Sequence, residues 1–165
     1  MLIQAFANSI IVASEIVLIT VGVTMVYGIL NFANFSQGEI AMWGAYFAFV
    51  FKVWLNCNIF ISIALGIVGA ALLGLLLNKV VFENFRGQSA TMLMIISLGL
   101  SFILRSIVRI IWGTHLRSYK LGFIKPLNIG GIYVTPVQLM IILIAIVVIF
   151  SLHISLKFTK IGKAM

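Results

Sequence analysis

The sequence predicts an all-α protein, a polytopic transmembrane helical bundle with about five spans. Of its 165 residues, 63% are hydrophobic and 8% are charged, and the mean hydropathy is +1.25. A soluble domain carries about 25% charged residues, because its surface must be hydrated. The apolar residues also gather into runs of roughly 20, the length that a helix needs to cross a bilayer. This chain is therefore expected to lie in lipid.

The predicted spans form one transmembrane domain over residues 1–165. They cover approximately residues 8–30, 38–55, 59–82, 91–112 and 136–156. The first run is interrupted by Glu15 and Gly22, and because its flank lacks the positive charge of a signal peptide we expect it to be retained as a span. The longest connection, residues 113–135, is predicted to be an extracytoplasmic loop with short strands near its Gly130-Gly131 pair.

Lysine and arginine positions favour a cytoplasmic C-terminus and an external N-terminus. Cytoplasmic segments of membrane proteins carry an excess of these residues. The favoured orientation places the larger of two sets inside: Lys79, Arg86, Lys157, Lys160 and Lys163, against Lys52, Arg117, Lys120 and Lys125.

The net charge of +8 does not indicate nucleic-acid binding. The basic residues sit at the ends of apolar runs, where snorkelling and membrane orientation account for them. Cys57, His115 and His153 lack the spacing of a metal site. The sequence shows no set of nucleophile and base, no phosphate-binding loop and no paired carboxylates, so it predicts no catalysis, no metal and no cofactor.

A polar break follows the first apolar run, in the segment Asn31-Phe-Ala-Asn-Phe-Ser-Gln-Gly-Glu39. Non-helical backbone near membrane depth persists only where protein or a water-filled cavity covers it. We therefore expect the break to be a working part of a membrane protein. If it borders a pathway, its polar side chains can satisfy freed backbone groups there. The candidate residues are Asn34, Gln37, Gly38 and Glu39. The alternative is a polar turn at the membrane surface.

The fourth run carries Ser97, Ser101, Arg105 and Arg109 at four-residue spacing, so these residues share one face. Arg105 lies deeper than Arg109, which is near the end of the span. Intramembrane arginines are costly and normally face protein or water. At 1.5 Å rise per residue, Arg105 and Glu15 fall at comparable depth. We therefore predict a Glu15–Arg105 ion pair, with two unrelated interfacial charges as the alternative.

Small residues recur at four-residue spacing on the second and third runs, as in Gly66, Ala70 and Gly74. On the second run the pairs are Ala41 with Ala45 and Gly44 with Ala48. Small residues let helix backbones approach closely in lipid. These stripes predict a tight contact between helices, although glycine and alanine are also common in spans without such a role.

The segments Gly22-Val-Thr-Met-Val-Tyr-Gly28, Asn34-Phe-Ser-Gln-Gly-Glu39 and Met42-Trp-Gly-Ala-Tyr46 closely resemble the permeases of branched-chain amino acid ABC transporters. That family carries an Asn-Phe-Ala-His-Gly-Glu-like hexapeptide between a Val-Tyr-Gly and a Gly-Ala/Ser-Tyr. This chain has Ser36 for the alanine and Gln37 for the histidine. The replacements keep a small residue and a hydrogen-bonding side chain, but they exclude a role for a titrating histidine at position 37.

The resemblance covers nearly the whole chain and implies a permease subunit in the inner (cytoplasmic) membrane. Such a subunit passes amino acids delivered by an extracytoplasmic binding protein, beside a second permease subunit. ATP hydrolysis takes place on separate cytoplasmic ATPase subunits, so the chain itself is not expected to be an enzyme. The resemblance places the start of the ATPase-coupling segment at Lys160, Gly162 and Lys163. Family members are longer, so the chain is expected to be an N-terminal portion.

Three alternatives remain open. Permeases for urea and short-chain amides belong to the same family and have closely similar sequences. A secondary transporter or channel predicts a second broken helix with acidic ion ligands, and only one break and no aspartate occur in this chain. A purely structural membrane subunit is the third alternative, but it would not account for the polar break.

Overall fold

In the residues that the computed structural model describes, five α-helices, a 3-10 turn and one short β-hairpin form, which confirms the predicted helical class. The structure describes residues 2–85, 87–115, 119, 127–129 and 132–158. The helices are α1 (Leu2–Leu30), α2 (Gln37–Val53), α3 (Ile59–Val80), α4 (Ala90–Trp112) and α5 (Pro136–Phe158). A 3-10 turn at Phe82–Phe85 follows α3, and strands β1 (Leu127–Ile129) and β2 (Ile132–Val134) precede α5.

Three stretches of the described chain are long and apolar enough to cross a membrane: Leu2–Gly28, Ile59–Phe85 and Ala90–Trp112. The described apolar part of α5, Pro136–Leu152, is shorter. Helix α2 has 17 residues, which is about 26 Å at 1.5 Å per residue, against a hydrocarbon core of about 30 Å. The assignment of α2 and α5 as spans, and the predicted bounds of the five spans, stay predictions.

The chain divides into two compact units. The first unit comprises Met1–Ile29 with Gly122–Met165, and it contains α1, the hairpin and α5. The second unit, Leu30–Leu121, contains α2, α3 and α4.

In the first unit, the hairpin confirms that short strands form between the fourth and fifth runs. Its antiparallel register pairs Leu127 with Val134 and Ile129 with Ile132. The side-chain amide of Gln4 holds the backbone of Tyr133 by accepting from its N–H at 2.8 Å and donating to its carbonyl at 3.0 Å. Because an edge strand exposes unpaired backbone groups, this double hydrogen bond covers one position of β2.

The second unit is built on two clusters of buried apolar side chains. One cluster lies beside the polar break and comprises Phe32, Leu77, Phe82, Leu100 and Leu104. The other lies towards the end of α4 and comprises Phe49, Val108 and Trp112. These clusters fix α4 relative to α2, and thereby set the positions of the polar side chains on both helices.

Helices α2 and α3 pack closely through small residues, as the stripes predicted. A Cβ added to Gly66 would lie 2.7 Å from the carbonyl oxygen of Gly44 and 2.8 Å from the Cβ of Ala48. One added to Gly44 would lie 3.0 Å from the Cβ of Ala70. Gly74 is different, because no heavy atom of the described residues lies within 4 Å of a Cβ built there. The contact therefore uses Gly66 and Ala70 of the predicted stripe, but not Gly74.

Candidate functional site

The polar break forms a compact turn over residues 31–36, between the end of α1 and the start of α2. Asn31 adopts a left-handed conformation with φ of 56°, a conformation that asparagine tolerates better than most residues at the end of a helix. The Asn34 side chain then closes the turn, because its Oδ1 accepts from the backbone N of Ser36 at 3.0 Å and from its Oγ at 2.7 Å. Asn34 and Ser36 are both buried.

Helix α4 supplies a further partner for this turn. The hydroxyl of Ser97 accepts from the backbone N–H of Phe35 at 3.2 Å and donates to the carbonyl of Met94 at 2.7 Å. Ser97 is fully buried, so the bond satisfies a backbone donor that helix formation leaves free. Sequence reasoning placed Ser97 on the face of Arg105 but missed this role, which depends on how α4 packs.

Glu39 lies in the first turn of α2, where the helix dipole favours a negative charge. Its Oε1 accepts from the Nε of Arg105 at 3.0 Å and also forms an ion pair with a terminal nitrogen of the same guanidinium. The Glu39 side chain is 9% exposed, whereas that of Arg105 is 48% exposed. The pair joins α2 to α4 with its carboxylate covered and its guanidinium partly open.

The carboxylate beside Arg105 is thus that of Glu39, whereas the sequence analysis chose Glu15. Glu15 lies on α1, in the other unit, and its pairing stays a prediction.

Of the other predicted residues, Gln37 is the first of α2 and its N–H donates to the carbonyl of Asn34 at 3.3 Å. Gly38 is exposed, with no heavy atom within 4 Å of a Cβ built on it. The predicted coupling residues Lys160, Gly162 and Lys163 lie outside the described residues.

A groove of about 660 Å³ runs along the second unit beside this ion pair. Its lining residues come from α2, from α4 and from the segment after α4: Glu39, Met42, Ala45, Tyr46, Phe49, Arg105, Val108, Arg109, Gly113, Thr114, His115 and Tyr119. The groove therefore brings charged groups of both signs together with apolar and aromatic side chains. Such a combination is typical of sites for small molecules.

Two hydrogen bonds hold the walls of the groove. The indole N–H of Trp43 donates to the carbonyl of Leu104 at 3.2 Å and ties α2 to α4. The phenol of Tyr119, which also lines the groove, donates to the carbonyl of Ala45 at 2.9 Å and ties the segment after α4 to α2. Burial raises the pKa of the Tyr119 phenol above its ordinary value, and the nearby Tyr46 adds to the rise. Tyr119 therefore stays a neutral donor at physiological pH.

The arrangement can bind and orient a small molecule through charge and apolar contact. Within the described residues, no group of three or more histidine, cysteine, aspartate or glutamate side chains is placed to hold a metal ion. Glu39 and Arg105 neutralise one another across the contact between α2 and α4.

The comparisons with known proteins agree on one family. The model of the branched-chain amino acid transport system / permease component family matches residues 5–165. The high-affinity branched-chain amino acid transport system permease protein BraD of Pseudomonas aeruginosa is 25% identical over 176 aligned positions, which cover 98% of this chain and 57% of that relative. The permease protein LivH of Salmonella typhimurium is 25% identical over 174 positions, and LivH of Escherichia coli K12 is likewise 25% identical over 174. No solved structure matches this chain.

The chain spans little more than half the length of these relatives, 56% in the case of LivH. The relatives are transport permease proteins, and the apolar helices described above agree with a multi-pass membrane protein. With the family model matching from residue 5 to residue 165, the chain belongs to the branched-chain amino acid transport system permease component family.

Proposed function

We propose that this chain is part of a permease subunit of an ATP-binding-cassette importer, which carries branched-chain or related hydrophobic amino acids inward. An extracytoplasmic binding protein delivers the substrate, a second permease subunit completes the pathway, and separate cytoplasmic ATPase subunits supply the energy. The N-terminus lies outside and the C-terminus lies in the cytoplasm. The segment that contains Lys160, Gly162 and Lys163 begins the contact with the ATPase.

The observation that carries this proposal is the Glu39–Arg105 pair in the wall of the groove. A purely structural subunit gains nothing from a charged pair on helices that otherwise pack through apolar and small residues, because ionisable groups at membrane depth are expensive. The break is also fully organised: Asn34 and Ser97 each satisfy backbone groups, and Glu39 lies directly after the turn. These contacts support a pathway-bordering turn over a loop that is merely polar.

Deletion of the gene in its source cells tests the proposal. We expect the uptake of radiolabelled leucine, isoleucine and valine to fall, and a plasmid copy of the intact gene to restore it. Uptake should persist when a protonophore collapses the ion gradient while ATP is maintained, and it should stop when ATP is depleted. Unchanged uptake of all three amino acids would refute the proposal.

Two other results would change the proposed substrate or the proposed energy source. A loss of urea or short-chain amide uptake alone would replace the substrate class while leaving the family intact. Uptake that stops with the protonophore, at constant ATP, would instead indicate a secondary transporter.

A further inference from the structure

The groove carries one positive charge in addition to the neutral Glu39–Arg105 pair. Arg109 lies one helical turn beyond Arg105 on α4 and lines the same groove. Among the described residues, the structure records no ion pair for Arg109. The groove therefore keeps an available guanidinium next to an ion pair, with a net charge of +1 from Glu39, Arg105 and Arg109 at neutral pH.

Arg105 also keeps hydrogen-bonding capacity that faces the groove. A guanidinium has five N–H donors, and the contacts to Glu39 engage its Nε and one terminal nitrogen. Its side chain is 48% exposed. Two arginines one turn apart, each with donors to spare, are suited to a carboxylate, since the planar guanidinium matches carboxylate geometry.

The groove is also lined by apolar side chains, which lie on the same two helices as the charged residues. Met42, Phe49 and Val108 line it, and Phe49 and Val108 are buried in the core cluster, so their positions are fixed. The Glu39 side chain is only 9% exposed, but it lines the groove, and both of its contacts with Arg105 use Oε1. Its Oε2 is therefore the acceptor offered to an ammonium group. The groove thus presents cationic, anionic and apolar surfaces within a volume of about 660 Å³, inside the range of roughly 300–1,000 Å³ that small-molecule sites occupy.

We infer that this groove is a transit site for a zwitterionic amino acid with an apolar side chain. Arg109 and the open face of Arg105 bind its carboxylate, Glu39 accepts from its ammonium group, and the wall of Met42, Phe49 and Val108 contacts its side chain. This inference rests on the proposed function and adds to it the place and the groups by which the permease recognises its cargo. A simple anion would use only the arginines and leave the acidic and apolar surfaces without a partner.

Replacement of Arg109 on the chromosome of the source cells tests the carboxylate contact in the complete protein. Arg109→Gln should lower the maximal rate of leucine uptake at least tenfold, because a charge partner of the cargo is lost, while Arg109→Lys should retain a third or more of that rate. Lys79→Gln is the matched control, because it removes an exposed cation from the last turn of α3, outside the groove. Its uptake should equal that of the wild type, and membrane abundance of each variant is measured by quantitative immunoblot.

Protection of an introduced thiol provides a second readout that does not depend on transport rate. In a Cys57→Ser background, Ala45→Cys places a thiol in the groove, and Leu55→Cys places one in the exposed connection between α2 and α3. Leucine should slow modification of the groove thiol by a polar methanethiosulfonate at least fivefold and leave the Leu55→Cys thiol unaffected. Neither 4-methylpentanoate, which lacks the amine, nor 3-methylbutylamine, which lacks the carboxylate, should protect at the same concentration.

The outcomes separate this inference from the proposed function. If Arg109→Gln cells take up leucine at the wild-type rate, the transit site is refuted, whereas the proposed importer function is not affected. Equal protection by 4-methylpentanoate and leucine would refute a zwitterion site in favour of an anion site. If wild-type cells with the intact gene show no uptake dependent on that gene, the proposed function itself fails.

Discussion

Gly66 offers a direct measure of how tightly α2 and α3 are joined. In Gly66→Ala, the new methyl group would lie 2.7 Å from the carbonyl oxygen of Gly44, and ordinary contact begins at 3.4 Å. The two backbones would have to separate by the difference, about 0.7 Å, and Ala48 would block a simple sideways adjustment. Overpacking of this kind typically costs about 1–3 kcal/mol.

Gly74→Ala is the matched control on the same helix. It makes the same chemical change, but its methyl group meets no described heavy atom within 4 Å. Replacing glycine by alanine inside a helix favours the helix by up to about 1 kcal/mol in either case. That gain cancels when the two variants are compared, so their difference isolates the cost of the helix contact.

Thermal unfolding of the purified full-length permease in detergent provides the measurement. On the scale of soluble domains, 1 kcal/mol corresponds to about 2–4 °C, so Gly66→Ala should melt about 2–12 °C below Gly74→Ala. Gly66→Leu should enlarge the gap relative to Gly74→Leu. If the two alanine variants melt at the same temperature, the close approach of Gly44 to Gly66 does not exist in the protein.

Further predictions concern the polar contacts. Glu39→Gln should lower the melting temperature because Arg105 loses its carboxylate, and the exchange Glu39→Arg with Arg105→Glu should recover part of the loss; a double variant as unstable as both single changes combined would contradict the pairing. Asn34→Ala leaves the buried N–H of Ser36 without its acceptor and should cost about 1–3 kcal/mol in chemical denaturation, whereas an unchanged midpoint would show that the turn closes without it. Tyr119→Phe removes one hydrogen bond, worth about 0.5–1.5 kcal/mol. The pKa of Tyr119 is raised in the folded state, so the stabilisation that the neutral phenol contributes is present below the ordinary tyrosine pKa and is lost as pH rises through the raised value. Wild type and Tyr119→Phe should therefore converge in melting temperature in strongly alkaline buffer.

Apolar run length identified the helices, whereas helix ends depend on local contacts. Helix α1 extends to Leu2, beyond the apolar run that starts near residue 8, and the polar side chains there are accommodated locally: the amide of Gln4 donates to the Oδ1 of Asn8 at 3.2 Å. Gly22, which interrupts the apolar run, lies within the continuous helix α1. A single glycine lowers helix propensity by about 1 kcal/mol, which the neighbouring residues of a long apolar helix readily outweigh.

The candidate site was only partly predictable, because its contacts depend on the packing of separate helices. The composition of the break identified Asn34 and Glu39 as candidate site residues, and both are buried in the structure. Counting helical rise gives depth but not which helices are neighbours, so it did not indicate the contact of Arg105 with Glu39. Nor does the serine spacing on α4 reveal that Ser97 meets the backbone of Phe35, 62 residues away. Periodicity assigns faces, whereas the ion pair and the bond to the turn require the tertiary arrangement.

The separation of Glu39 and Arg105 along the chain, 66 residues, has a consequence for biogenesis. Translation at roughly 5–20 residues per second delivers the carboxylate about 3–13 s before the guanidinium that neutralises it. During that interval the short α2, whose first turn carries Glu39, lacks the counter-ion that this carboxylate has in the folded protein, while the more apolar α3 is already available for insertion. Helix α2 is therefore expected to settle into the bilayer late, after α4 has emerged, so that the order of helix insertion differs from the order of synthesis.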